Sequence, residues 1–265
     1  MKRILLCTNP KMNLGVEETI DYAKRLTKFV DANLDDSLKI SVFIIPDFLA
    51  LYNVSQLIRD SKLELAAQDC FYEDKGAFTG EVSPSVLRDI GCKYVLLGHP
   101  ERIIYAKEDS EMINKKVKAC IRNKLIPVVL IIEREKKLDI RETCNIMIKD
   151  LLPYFNGVDR DDINRIIIIY EPAWAIGTGS AAPVSHTYEV LASLREALDK
   201  EYGSGIGKNQ LFMYGGGVTL DSAREIMELE NIDGIGMGRA GLDLNFFTEA
   251  IKLAISLQRN SILKK

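Results

Sequence analysis

Eight short runs of aliphatic or β-branched residues recur along the chain, at Ile4–Cys7, Ile40–Ile45, Leu63–Ala67, Tyr94–Leu97, Ile126–Ile132, Ile166–Tyr170, Leu211–Tyr214 and Gly234–Met237. Between them lie longer stretches whose apolar residues fall three or four apart, as at Ile20, Ala23, Leu26 and Val30 or at Val190, Leu191, Leu194 and Leu198. That spacing gathers them on one face of a helix. Most of the spacers can hold a crossover helix, so the chain reads as eight β-then-α units, and such units imply parallel strands. The run Arg165–Tyr170 decides the sheet type. Five of its six residues are bulky and apolar without alternation, so both faces of that strand must be covered. Eight units in 265 residues, near the typical length of about 250, favour a closed (β/α)8 barrel over an open doubly wound sheet. With no Pro/Gly-rich linker and no low-complexity tract, residues 1–265 read as a single α/β domain.

Composition narrows the function classes. The chain is 47% hydrophobic and carries 35 basic against 38 acidic residues, a formal net charge of −3 spread evenly along its length. Nothing in that distribution asks for nucleic acid or an anionic membrane. The opening Met-Lys-Arg before Ile4 resembles a signal peptide, but the apolar run stops at Thr8-Asn9-Pro10, far short of an h-region. No other apolar stretch approaches the roughly 20 residues needed to span a bilayer. Five unevenly spaced cysteines, Cys7, Cys70, Cys92, Cys120 and Cys144, include no CxxC pair, which fits free thiols in a reducing cytoplasm.

In a barrel of this kind chemistry sits at the carboxyl ends of the strands, and the polar and glycine-rich residues fall there: Asn9 and Lys11, Gln68, Gly98–Arg102, Glu171–Gly179, Gly215–Gly217, and Gly238-Arg239. Five motifs carry a specific likeness: Asn9-Pro10-Lys11-Met12-Asn13, Gly76–Glu81, Leu97–Arg102, Tyr170–Gly179 and Tyr214-Gly215-Gly216. In that order, from Asn9 to Leu242, the sequence resembles the triosephosphate isomerase family, the TIM barrel enzymes. The resemblance implies an isomerase that moves protons without metal or organic cofactor. It implies dihydroxyacetone phosphate and glyceraldehyde 3-phosphate as the exchanged sugar phosphates, and a homodimer in which the 69–81 loop projects into the neighbouring subunit.

The residues themselves allow a sharp and a bland reading at each position. Glu171 leaves a fully apolar strand where a carboxylate can be held dry and take a proton beside a carbonyl, as a general base; otherwise it is a surface glutamate. The segment Pro172, Ala173, Trp174, Ala175, Ile176, Gly177 and Thr178 favours the first reading, since so apolar a stretch is costly to expose unless it closes over something as a lid. His99, between Gly98 and Pro100 at a strand-to-helix junction, is either an electrophile that polarises the carbonyl or a histidine bonded to backbone, and the two are compatible. Pro100 stands where the family usually has serine; it suits a first helical turn and leaves the Glu101 and Arg102 amides free for the ring. Lys11 with Asn9 would set an ammonium and an amide beside the developing enediolate and the phosphate, or Lys11 is a solvated charge. Glu101 would pair with Lys11 or cap a helix.

For the phosphate, Gly177, Gly217 and Gly238 offer amides that a ligand can approach closely, although each alone is an ordinary turn glycine; Gly217 replaces a family serine. Arg239 stands where the family carries a glycine, and the Gly-Arg pair is similar to relatives that isomerise four-carbon ketose phosphates such as erythrulose phosphate. Its guanidinium then either folds over the phosphate or points to solvent, leaving triose phosphate as substrate. A barrel that binds sugar phosphate without turning it over is the reading of another class. The literal GxGxxG at Gly236–Gly241 has only 24 residues after it, too few for the rest of a dinucleotide-binding unit. The only two histidines, His99 and His186, lie 87 apart and form no metal pair at helical spacing.

Overall fold

The computed structural model describes residues 2–178 and 180–263; Gly179, the last residue of the Tyr170–Gly179 motif, lies outside them. Eight parallel strands close into one barrel in sequence order: β1 (Ile4–Thr8), β2 (Ile40–Ile44), β3 (Leu63–Ala67), β4 (Tyr94–Leu97), β5 (Ile126–Glu133), β6 (Ile167–Pro172), β7 (Leu211–Tyr214) and β8 (Gly234–Met237). Helices occupy every crossover but that between β3 and β4 only briefly, where the six-residue helix Pro84–Asp89 follows a long loop. The strand limits differ from the sequence reading mainly around the sixth. β6 begins one residue later and continues through Glu171 and Pro172, because β5 extends to Glu133 and pairs with it, Ile132 opposite Glu171 and Glu133 opposite Pro172.

Alternation along the strands sorts the apolar residues into two cores. Leu5 and Cys7, Tyr94 and Leu96, Val128 and Leu130, and Ile167 and Ile169 fill the barrel. Their neighbours Ile4, Leu6, Val95, Leu97, Ile168 and Tyr170 face the surrounding helices. A continuous aliphatic run is therefore a strand wetted on neither face. The helices answer with the expected stripe: Thr19, Tyr22, Ala23, Leu26 and Val30 are buried in Val16–Asn33, and Thr187, Val190, Leu191, Leu194 and Leu198 in Val184–Tyr202. Each such Leu or Val contributes about 1.5–3 kcal/mol of burial. Polar caps start several helices, Asp47 accepting from Leu49 and Ala50, Asp109 from Met112 and Thr219 from Ser222, which satisfies amides the first turn leaves unpaired.

Barrel closure depends on one close approach. β1 and β8 pair with Leu5 opposite Gly234, and a Cβ on Gly234 would lie 1.9 Å from the Leu5 carbonyl oxygen. No side chain fits that seam. Across it Asn9 donates its amide to the Met237 carbonyl at 2.9 Å, while the Thr8 hydroxyl donates to the Gly241 carbonyl at 3.1 Å.

Candidate active site

The strand ends open onto a cavity of about 290 Å³. β1 delivers Asn9, whose side-chain oxygen accepts from the Lys11 amide at 2.9 Å. That turn holds Lys11 at φ 55°, a left-handed conformation that costs a residue with a Cβ about 1–2 kcal/mol. Gln68, after β3, steadies it by donating to the carbonyls of Lys11 (3.0 Å) and Ile45 (3.2 Å). The Lys11 ammonium, so aimed, lies 2.7 Å from Glu101 Oε1.

β4 delivers His99 as the N-cap of the helix Pro100–Tyr105, with Pro100 in its first turn. His99 is 6% exposed, and its Nδ1 accepts from the Glu101 amide at 3.3 Å. The Arg102 amide goes instead to the His99 carbonyl, so one of the two amides expected at the ring reaches it. Burial, reinforced by the Lys11 charge and opposed by Glu101, pushes the His99 imidazole down to about 4. The Nδ1–Glu101 carboxylate approach of 3.4 Å is thus no ion pair at neutral pH: the ring is neutral, Nδ1 accepts from the amide, and the proton resides on Nε2.

β6 delivers Glu171. Burial pushes its carboxyl group up to about 7, against the pull of Lys11 and with Glu101 adding to the rise. The carboxyl lies against Gly215, where a Cβ would come within 3.5 Å of its oxygen. Asn9, Lys11, His99, Glu101, Glu171, Gly238 and Arg239 all line the cavity, as does the lid residue Ile176. Arg239 is exposed at its rim and opens the short 3-10 helix Arg239–Leu242.

Two of the glycines expected at the phosphate are not in the cavity wall. Gly177 is exposed at φ 80° with open space around it. Gly217 packs against the lid root, where a Cβ would meet the Ala175 carbonyl oxygen at 2.9 Å. Gly215 and Gly216 line the wall instead. The segment expected to serve as a lid is not uniformly exposed either: Pro172 ends β6, Ala173, Trp174 and Ala175 form a 3-10 turn with Pro172 and Ala175 buried, and Ile176, Gly177 and Thr178 protrude. Thr178 Oγ1 donates to the Ala175 carbonyl at 2.8 Å. The cavity floor, Cys7, Leu96, Leu130 and Ile169, went unremarked in the sequence reading, although each stands two residues from another inward-facing side chain. Among the described residues, no three His, Cys, Asp or Glu side chains group as metal ligands.

A closed parallel barrel whose mouth presents a desolvated carboxyl group, a neutral imidazole and an ammonium around one cavity is, in class, a barrel enzyme equipped to move protons on a small anionic ligand. The sequence model of one family, triosephosphate isomerase, matches residues 4–254. Proteins named triosephosphate isomerase are similar over nearly the whole length: that of Dictyoglomus thermophilum is 33% identical over 95% of this chain and 100% of its own. That of Thermoanaerobacter pseudethanolicus is 35% identical over 95% and 99%, and that of Alkaliphilus oremlandii 35% over 93% and 98%. The chain belongs to the triosephosphate isomerase family.

Proposed function

We propose that the protein interconverts dihydroxyacetone phosphate and glyceraldehyde 3-phosphate, the triose exchange of glycolysis and gluconeogenesis, through an enediolate. The observation that carries this reading is the pairing, in one cavity, of a carboxyl group raised to about 7 with an imidazole lowered to about 4. Each is then in its working form near neutrality, the carboxylate able to accept a proton and the imidazole able to donate a hydrogen bond without carrying charge. Glu171 takes the proton from the carbon next to the ketone. His99 Nε2–H and the Lys11 ammonium stabilise the negative oxygen that develops, Asn9 and Gln68 keep Lys11 aimed, and Glu101 holds its ammonium at the cavity edge. His99, between the two oxygens, gives its Nε2 proton to the former ketone oxygen and takes the hydroxyl proton from the first carbon's oxygen, and Glu171 delivers its proton to the former ketone carbon, giving the aldehyde. We assign the phosphate to the amides of Gly238 and its neighbours and to Arg239 beside them. Gly177 belongs to the moving lid, Pro172–Thr178, whose closure brings its amide toward the anion, while Gly217, in the loop after β7, packs against the root of that lid and completes the phosphate site from there. The proton on Glu171 exchanges with solvent in competition with its return, so in heavy water dihydroxyacetone phosphate should yield glyceraldehyde phosphate carrying deuterium at the new C–H. Isomerisation or exchange at the wild-type rate in Glu171→Gln would refute the scheme.

We further infer a homodimer built on the 69–81 loop. The loop is rigidly tethered: Asp74 receives Arg122 and Asn123 at 2.9 and 2.7 Å, and Phe71 stacks on Tyr72 and Phe78 with centroids 4.1 and 4.7 Å apart. That stacking half-buries Phe71 and Tyr72, so the apolar cost falls on Phe78, 40% exposed, beside exposed Thr79. An ordered, protruding aromatic tip suits insertion into a second copy; a monomeric mass at full activity would overturn it. No helix among the described residues is long and apolar enough to cross a membrane, and we place the enzyme in the cytoplasm.

A further inference from the structure

A histidine that does not line the cavity lies against the leading end of the lid. His186 stands in the first turn of the helix Val184–Tyr202. Four residues earlier, in the segment that follows the lid, the Ala182 amide donates to the Tyr214 hydroxyl at 2.9 Å and pins that segment to β7. The His186 ring reaches back to the leading end, where it lies edge-on to Trp174 with centroids 5.6 Å apart and planes at 86°. Its Nε2 is 2.9 and 3.1 Å from the two oxygens of Glu133, the buried last residue of β5. The same carboxyl group accepts from the Tyr170 hydroxyl and from Thr143 at 3.3 Å. Tyr170 immediately precedes Glu171.

Trp174 packs, partly buried, against the apolar core outside the barrel. Its indole N–H is buried and finds no acceptor among the described residues, so no hydrogen bond fixes how the ring is turned; beside the core it meets the His186 ring and the Lys136 ammonium, 5.1 Å from its ring centroid. A ring oriented by contact alone follows what it rests on. On one side that is an imidazole locked to a buried carboxyl group, and that group also anchors the strand end that carries Glu171. We propose that His186 is a positioning residue for the lid: seated on Glu133, it sets where Trp174 sits and so where the lid root stands relative to Glu171. This rests on the assignment of Pro172–Thr178 as the lid.

Trp174 is the only tryptophan in the chain, so its accessibility to acrylamide reports the lid root alone. Quenching constants are the proper readout, because removing an imidazole can change emission intensity by itself. Without ligand, His186→Ala should raise the quenching constant about twofold and lower kcat about tenfold, a modest misplacement on the scale by which geometry controls rate. His186→Gln keeps a donor toward Glu133 and should restore both to within about threefold of wild type. His186→Phe, which keeps the ring edge but not the hydrogen bond, should remain impaired and decides the matter if the alanine variant does not fold. Quenching unchanged in both His186→Ala and His186→Phe, or a glutamine variant no better than phenylalanine in kcat, would overturn the proposal. The quenching comparison needs no turnover, so failure of the isomerase reading would leave the positioning claim separately decided.

Discussion

Replacing Glu171 by glutamine removes the charge that the site must otherwise keep dry, and the structure sets how much that charge costs. Burial raises the Glu171 carboxyl group from 4.5 to about 7. A group whose pKa is raised on folding adds stability that is fully present below the unfolded value and is lost as the pH climbs through the folded one. Ionisation of Glu171 therefore begins to cost folding stability above pH 4.5. At about 1.36 kcal/mol per pH unit, the cost is under about 1 kcal/mol at pH 5 and reaches about 3 kcal/mol by pH 8. Glutamine never ionises and escapes it. Urea unfolding at fixed protein concentration should find Glu171→Gln more stable than wild type at pH 8 by about 2–3 kcal/mol more than at pH 5. The same group sets the acidic limb of kcat/KM in wild type, which should fall tenfold per pH unit below about 7, with His99 adding no further break until about 4. A stability difference identical at the two pH values, or a kcat/KM flat from pH 5 to 8, would refute the account of a desolvated base.

Glu171→Asp withdraws the carboxylate by roughly 1 Å from its place at the end of β6 and should lower kcat about 100-fold; a loss of only a few-fold means another residue is the base. Arg239→Gly should weaken phosphate binding, read as a higher KM for glyceraldehyde phosphate, while leaving the preference for triose over erythrulose phosphate in place; a reversed preference would make Arg239 the selector of chain length. Gly234→Ala sets a methyl carbon against the Leu5 carbonyl across the β1–β8 seam and should destabilise the protein by more than about 3 kcal/mol or prevent folding. Wild-type thermal stability in that variant would show the seam to be compliant.

The barrel was readable because its signals are local. The isoleucines of β6 announce a strand buried on both faces, and the polar residues that follow each run fall at its mouth. The start of the site was readable for the same reason, since Asn9, Lys11, His99 and Glu171 stand within three residues of the strand ends. What depended on tertiary geometry was not. Gly177 and Gly217 are glycines in the right loops, yet their distance from the cavity is set by how the lid root packs on β7. The Glu133–His186 contact joins residues from β5 and from the helix after β6 that share no motif or spacing, so only the assembled barrel brings them together. The turn at Lys11 is an intermediate case: an Asx turn was latent in Asn9, but its left-handed consequence at the lysine needs the Gln68 clasp from β3.

The β1–β8 seam also orders events in time. Lys11 emerges early from a ribosome, whereas the strand and the 3-10 turn that complete its surroundings, with Met237 accepting from Asn9 and Gly241 from Thr8, are made more than two hundred residues later. Until β8 docks, the nascent chain can carry seven strands and an open sheet edge, and Lys11, although Asn9, Gln68 and Glu101 are already made, lacks the cavity wall that Met237, Gly238 and Arg239 supply. Such first-to-last pairing raises the sequence separation of contacts and slows closure. Catalytic competence is thus a late event in the life of each molecule: a chain stalled or clipped before Gly234 retains Lys11, His99 and Glu171 but lacks Gly238, Arg239 and the wall that closes the cavity around them.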